Sequence, residues 1–248
     1  MRRALGLAGL VALAALAVWA VTGLPSFGHP RGPYATDSVP AMVQERHVSN
    51  TVVGITFDLR GIDTLGEELI LFSAALGSTL LLRAQRREGR VEEAAQRADE
   101  QRTRMPPSLR AAGAYLVGPA LMLAVYVIAH GNLTPGGGFQ GGVIGAAALL
   151  LVYAAGQMVA LEHVRPVALV ELAEAVGAAA FVLVAIGGMV FATVAMANFL
   201  GFGTTGSLLS GGTIPVLNAA VGVEVTGAVT LIITEFLDQA LLREARSA

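Results

Sequence analysis

Six apolar runs, each with room for a helix that crosses a bilayer, constrain this chain before any motif does: Ala4 to Leu24, Thr64 to Leu82, Ala111 to His130, Gly137 to Leu161, Ala175 to Asn198 and Ile214 to Leu237. At about 1.5 Å of rise per residue such runs cover the roughly 30 Å hydrocarbon core, and open strands are excluded because lipid offers backbone groups no partner. With 54% hydrophobic and 14% charged residues, the chain is too apolar for a soluble domain. The expectation is an all-α, polytopic protein with six transmembrane helices, multi-pass in the cell membrane and surrounded by the lipid bilayer.

Arginine gives the orientation, because the chain has no lysine. Of sixteen arginines, eight fall between Arg83 and Arg110; Arg2 and Arg3 precede the first run, Arg165 follows the fourth, and Arg243 and Arg246 end the chain. Alternating spans put these thirteen on one side and leave Arg31, Arg46 and Arg60 on the other, so both termini are expected in the cytoplasm. A signal peptide is the alternative for the first run, with Ala15-Leu16-Ala17 as cleavage site. That cut leaves a short hydrophobic region while the apolar run continues to Leu24, which favours a retained anchor.

The absence of cysteine removes disulfides, iron–sulfur ligation and cysteine–zinc sites. His29, His47, His130 and His163 are scattered, with none spaced for a metal. Haem held by two of them stays open, although His130 and His163 are expected at opposite faces. No cofactor, enzymatic activity or nucleic-acid partner is expected.

Two extramembrane segments divide the chain. Residues 25–62 begin polar and turn apolar at Val52-Val53-Gly54-Ile55-Thr56-Phe57, too short to cross, so this part is expected at the interface or packed on the bundle. Residues 85–107 form a charged cytoplasmic linker rich in arginine, glutamate and glutamine. It reads as a solvated helix held by charge pairs or as a docking segment for a partner subunit. The expected organisation is a two-span domain, 1–84, the linker, and a four-span domain, 108–248.

Between the third and fourth runs lies His130-Gly131-Asn132-Leu133-Thr134-Pro135-Gly136-Gly137-Gly138-Phe139-Gln140-Gly141-Gly142. Gly136, Gly138 and Gly141 match a dinucleotide fingerprint in spacing, but that fingerprint needs a preceding strand and a βαβ unit. Nor does a Gly-Lys-Ser/Thr follow. Gly137, Gly141 and Gly145 recur every four residues, as do Gly138 and Gly142, which gives the fourth helix a smooth face for close approach. Pro135 is expected in its first turn, capped by Thr134 or Asn132. A re-entrant backbone lining an ion path is the other reading.

Carboxylates inside the membrane are the chemical candidates. The uncharged run Leu69 to Leu82 has only fourteen residues, so a span of about 20 draws Glu67 and Glu68 into the bilayer. Glu224 lies about ten residues into the sixth run, and Glu235 follows it by eleven. At 100° per residue that interval returns to nearly the same helix face, about 16 Å along the axis. Such groups are costly in lipid and functional by default. Glu171 and Glu174 are expected at the water-facing start of the fifth helix, as favourable N-terminal acids. His130 is expected either to titrate or to act as an interfacial hydrogen-bonding group.

The glycine stretch, with Gly211-Gly212-Thr213-Ile214-Pro215-Val216-Leu217-Asn218 and Val221-Gly222, resembles the B subunit (MnhB domain) of Mrp-type multisubunit Na⁺/H⁺ antiporters over about residues 108–240. Residues 52–83, with Phe57-Asp58-Leu59-Arg60-Gly61-Ile62-Asp63-Thr64-Leu65-Gly66-Glu67, separately resemble the C-terminal end of the large A subunit. A related small E-like subunit occurs in membrane-bound hydrogenase complexes. The resemblance implies a non-catalytic membrane subunit of a complex that exchanges Na⁺ for H⁺, or a hydrogenase-type arrangement, with other membrane subunits as partners. The family's acidic position after Asp-Thr-Leu-Gly falls on Glu67. The ion-path candidates are Glu67, Glu68, Glu224, Glu235, Asp63 and His130; a purely structural role for the carboxylates is the competing reading.

Overall fold

The computed structural model describes residues 2–24, 34–83, 106–164 and 167–247. Nearly all of the charged linker lies outside them, as do His29, Arg31, Arg165 and the side chain of His163. Two compact units are present, Met1–Pro40 and Ala41–Ala248. The first contains α1 (Arg2–Thr22) and a π-helical turn at Tyr34–Ser38. The second contains a π-helical turn at Ala41–Glu45, the short α2 (Thr51–Gly54) running into another at Ile55–Leu59, and the long helices α3 (Gly61–Arg83), α4 (Pro107–Ala129), α5 (Gly138–Val164), α6 (Val167–Ala192) and α7 (Ile214–Ser247).

Among the described residues, five helices are long and apolar enough to cross a membrane, α3 to α7. Six were expected; the first run forms a 21-residue helix that includes the shorter apolar stretch Gly9–Thr22. The apolar segment at Val52–Phe57 packs on the bundle, with Val53 and Phe57 buried and the Phe57 ring 6.0 Å from that of Phe181.

Helix α7 is the axis of the second unit. Of its span, 61% is buried, against 11–33% for the other four, and α3, α5 and α6 all pack on it. Outward faces of α4 and α6 carry exposed Tyr115, Met122, Leu183 and Phe191, whereas the buried positions include Glu68, Glu174, Asn218, Glu224, Thr230 and Glu235. A soluble fold keeps its surface polar; this one shows many apolar side chains and hides several polar ones beside its apolar core. Lipid reverses the cost of exposure, since only a polar group facing it lacks a partner.

Glycines set how closely the helices approach. A Cβ on Gly138 would overlap Asn218 O and lie 2.8 Å from Val221 Cβ; one on Gly142 would meet Val225 Cβ at 2.7 Å, and one on Gly145 Thr226 Oγ1 at 2.8 Å. Those three form the α5–α7 seam. Gly141 faces the other way, toward Ala124 O at 2.9 Å and Ile128 N at 3.0 Å on α4. The expected glycine face is thus two faces, one for each neighbour. Pro135 was expected within the first turn of this helix, but α5 starts at Gly138. Gly136 and Gly137 precede it with φ of +135° and +137°, a region open to glycine and strained for other residues. The cap also differs from the expected Thr134 or Asn132: Gly138 N donates to Asn218 Oδ1 on α7 at 2.8 Å, so a neighbouring helix supplies it.

Asparagines fasten the same end of the bundle. Asn50 Nδ2 donates to Gly131 O at 2.7 Å and Thr134 O at 2.9 Å. Asn132 Nδ2 donates to Ser210 O at 2.8 Å, and the backbone carbonyl of Asn132 accepts from Ser49 N and Asn50 N. Asn198 accepts from Thr213 N and donates to Gly211 O, beside Gly211 and Gly212 at φ +94° and +65°. All three amides donate to loop carbonyls, and Asn198 Oδ1 also accepts, which suits loop backbone that has no ladder of its own.

Candidate functional site

At the glycine-rich end, between α2, the start of α3 and the start of α5, lies a cleft of about 300 Å³. Thr56, Thr64, Glu67, Glu68, Gly137, Gln140 and Asn218 contribute to its lining. Thr64 Oγ1 donates to Thr56 O at 2.7 Å, which ties the π-helical turn to the first turn of α3. Successive residues on a helix point about 100° apart, so Glu67 and Glu68 meet different surroundings. Glu67 is exposed, whereas Glu68 is 4% exposed. The sequence draws both Glu67 and Glu68 into the bilayer, and the family resemblance singles out Glu67; the structure encloses Glu68.

From Glu68 the buried polar line continues into the bundle. Glu224, on α7, is fully buried, and the charges that reach it are those of Glu68 on α3 and Glu174 on α6. Neither Glu224 oxygen has a hydrogen-bond partner, and one oxygen each of Glu68 and Glu174 is likewise unpartnered. A buried polar atom without a partner is costly, and a buried unpaired charge more so. The arginines whose side chains are described are engaged elsewhere: Arg46 with Asp58 at 2.6 Å, Arg60 with Asp63 at 2.5 Å, and Arg110 donating to Ala155 O.

Glu174 departs from expectation. It was placed at the water-facing start of the fifth span, but α6 begins at Val167 and ends at Ala192, so Glu174 lies two turns inside and is 4% exposed. Its glutamates broke the apolar run and made the helix look shorter than it is. A repeated pattern marks the place: Glu174-Ala175-Val176-Gly177 on α6 and Glu224-Val225-Thr226-Gly227 on α7. A Cβ on Gly177 would lie 2.6 Å from Glu224 N and Cβ, and one on Gly227 would lie 2.9 Å from Glu174 N and 3.0 Å from its Cβ. Each glycine thus accommodates the glutamate of the opposite helix, in antiparallel register.

Glu235 is buried further along α7 at 1% exposure, in a stretch where Thr230 and Thr234 donate to the carbonyls one turn back. Gln239 Nε2 donates to Leu82 O, fixing α3 parallel to α7 at that end. Asp63 and His130 do not join this line. Asp63 is exposed in its pair with Arg60, beside a separate surface cleft of about 370 Å³. His130 ends α4, stacks on Tyr126 at 4.0 Å and pairs its Nδ1 with Tyr126 O at 3.0 Å. Among the described residues, no three His, Asp or Glu side chains converge as metal ligands.

Comparison with known proteins puts this geometry in context. The model of a domain related to the MnhB subunit of Na⁺/H⁺ antiporters matches residues 108–231. An uncharacterized protein of Methanocaldococcus jannaschii, MJ1307, is 30% identical over 197 residues, spanning 72% of this chain and 73% of its own. A chain of the archaeal membrane-bound sulfane sulfur reductase, a respiratory membrane complex, superposes with a TM-score of 0.74 at 25% identity, over 95% of this chain and 98% of its own. A chain of the Mrp complex from Dietzia sp. DQ12-45-1b superposes with a TM-score of 0.71 at 21% identity, over 95% of this chain and 26% of its own.

Proposed function

As the chain belongs to the family of domains related to the MnhB subunit of Na⁺/H⁺ antiporters, we propose that it lends its buried carboxylates to the ion path of a multisubunit cation/proton antiporter complex in the cell membrane. Its partners are the other membrane subunits, and its transported species are Na⁺ and H⁺. The glycine-rich end faces outward and both termini face the cytoplasm, in keeping with the arginine distribution. Glu67 and the cleft admit a hydrated cation, Glu68 takes it or a proton, and Glu224 continues the route inward toward Glu235.

One observation carries this reading. Glu68 lines the cleft and also belongs to the buried set whose oxygens lack partners. A carboxylate kept for packing is expected to satisfy its oxygens within the chain, whereas one that exchanges a proton for a cation needs them free. Expected for Glu68→Gln and Glu224→Gln is antiport in everted vesicles lowered by roughly tenfold or more, a barrier change of about 1.4 kcal/mol, in complexes that copurify normally. Normal transport in both variants overturns the proposal and leaves the structural role.

A second reading is supported by the end-to-end match with a chain of a respiratory complex: the same path serves a redox-driven pump whose electrons travel in other subunits. Copurified partners decide between them, redox subunits favouring this reading and antiporter subunits alone favouring the first.

A further inference from the structure

The outward side of α3 supports a step beyond that reading, on which it rests for the presence of partner subunits. Within the 22-residue span Gly61–Leu82, Glu67 stands six residues after the first, about 9 Å along the axis. In a helix that crosses the roughly 30 Å hydrocarbon core, that depth lies inside the bilayer. Glu67 is nevertheless exposed, and lipid offers a carboxylate no partner. The two ion pairs among the described residues, Arg46–Asp58 and Arg60–Asp63, do not include it. Glu67 also borders the cleft, which is open between α3 and α5: α3 packs on α6 and α7 and makes no comparable contact with α5.

Beside Glu67 the helix is shaped for a close neighbour. Gly66, Ile70, Ser73 and Gly77 follow one another at intervals of four, three and four residues, which keeps them on one stripe and suits a second helix crossing at about 20°. A Cβ on Gly66 or Gly77 would meet nothing within 4 Å, whereas one on Gly138, Gly142 or Gly177 would come closer than 3.0 Å to the adjoining helix. Glycine costs a helix roughly 1 kcal/mol relative to alanine. Inside the bundle that cost brings two backbones together; beside Gly66 and Gly77 no described helix occupies the space. Gly118 on α4 also has open space, but its exposed neighbours are Tyr115 and Met122, and Arg110 on that helix is held by Ala155 O. Lipid suffices for the face of α4 and not for one that carries Glu67.

We propose that this side of α3 docks a transmembrane helix of a partner subunit, which packs on Gly66 and Gly77 and sets a basic side chain, arginine, lysine or histidine, against Glu67. The partner helix closes the open side of the cleft. Its base holds Glu67 until an entering cation competes for the carboxylate, and the buried Glu68 remains the group that receives the ion.

The chain has no cysteine, so Ser73→Cys places a single thiol on the stripe with little change in size. A benzophenone maleimide attached there, in membranes that hold the intact complex, is photolysed and its adducts are sequenced by mass spectrometry. The expected adduct is a transmembrane segment of another subunit with a basic residue in its outer half. Capture of lipid alone, of this same chain, or of a partner segment without such a residue overturns the proposal. Glu67→Arg sets two like charges together and is expected to lower the capture about tenfold, and exchanging the partner's base for glutamate in the same complex to restore it. Undiminished capture in Glu67→Arg, or no restoration by the exchange, overturns the pairing. Antiport by Glu68→Gln reads the underlying function separately: wild-type transport there counts against the ion path and leaves the docking face standing.

Discussion

The two halves of α7 use polar residues in opposite ways. At its start, Asn218 accepts from Gly138 N, donates to Ile214 O at 3.2 Å and stands where a side chain on Gly131 or Gly137 would be. Two turns further, Glu224 is equally buried and neither of its oxygens has a partner. An amide whose donor and acceptor are both used by the chain is fixed, and its contribution is to stability. A carboxyl left without partners costs stability, which makes it a functional candidate. Position along one helix separates the two uses by about 9 Å, six residues at 1.5 Å each.

The severest test of that contrast is at the satisfied end. Gly138→Leu puts a side chain into the backbone of α7, where even a Cβ overlaps Asn218 O and lies 3.0 Å from Gly222 N. Neither helix can give way by rotating a side chain, so the cost is expected at about 3 kcal/mol or more. The yield of assembled complex, read by copurification, should collapse. Normal assembly would mean that α5 and α7 are not held by this seam.

Asn218→Ala is milder and sharpens the comparison. It removes the acceptor of Gly138 N and leaves a buried donor unmet, at a cost of about 1–3 kcal/mol. A lower melting temperature is expected, with antiport per assembled complex falling far less than the roughly tenfold proposed for Glu224→Gln. If Asn218→Ala slowed transport at full stability, the division between fastening and conducting residues would fail.

How much of this was legible in the sequence follows from the same distinction. Apolar runs placed α3 to α7 because hydropathy is a property of consecutive residues, and the glycine spacing announced close packing. Glu224 stood out because apolar residues surround it on both sides. Glu174 was hidden because an acid near the edge of a run has the same pattern whether it meets water or another helix. Only the second Glu-x-x-Gly, on a helix fifty residues away, distinguishes the cases. Neighbouring Glu67 and Glu68 are equivalent in hydropathy, and the rotation of α3 against α7 decides which is enclosed. Asn50 and Asn198 were missed for a related reason: each fastens loop backbone distant in sequence, and no local pattern records the partner.

Asp63 supplies the smallest expected effect and the cleanest control. It belongs to the same Asp-Thr-Leu-Gly-Glu-Glu stretch as Glu67 and Glu68, so a reading by motif alone groups the three. Its carboxylate instead meets Arg60 three residues earlier, with both side chains more than half exposed, and solvent screens such a pair to a contribution of about 0.5 kcal/mol or less. Asp63→Asn should therefore leave melting temperature and antiport within error of the wild type, while Glu68→Gln, one and a half turns along the same helix, lowers transport about tenfold. A large transport defect in Asp63→Asn would move the route from the buried interior of the bundle to the surface cleft beside Arg60. The carboxylates lacking partners around α7 would then be packing features after all.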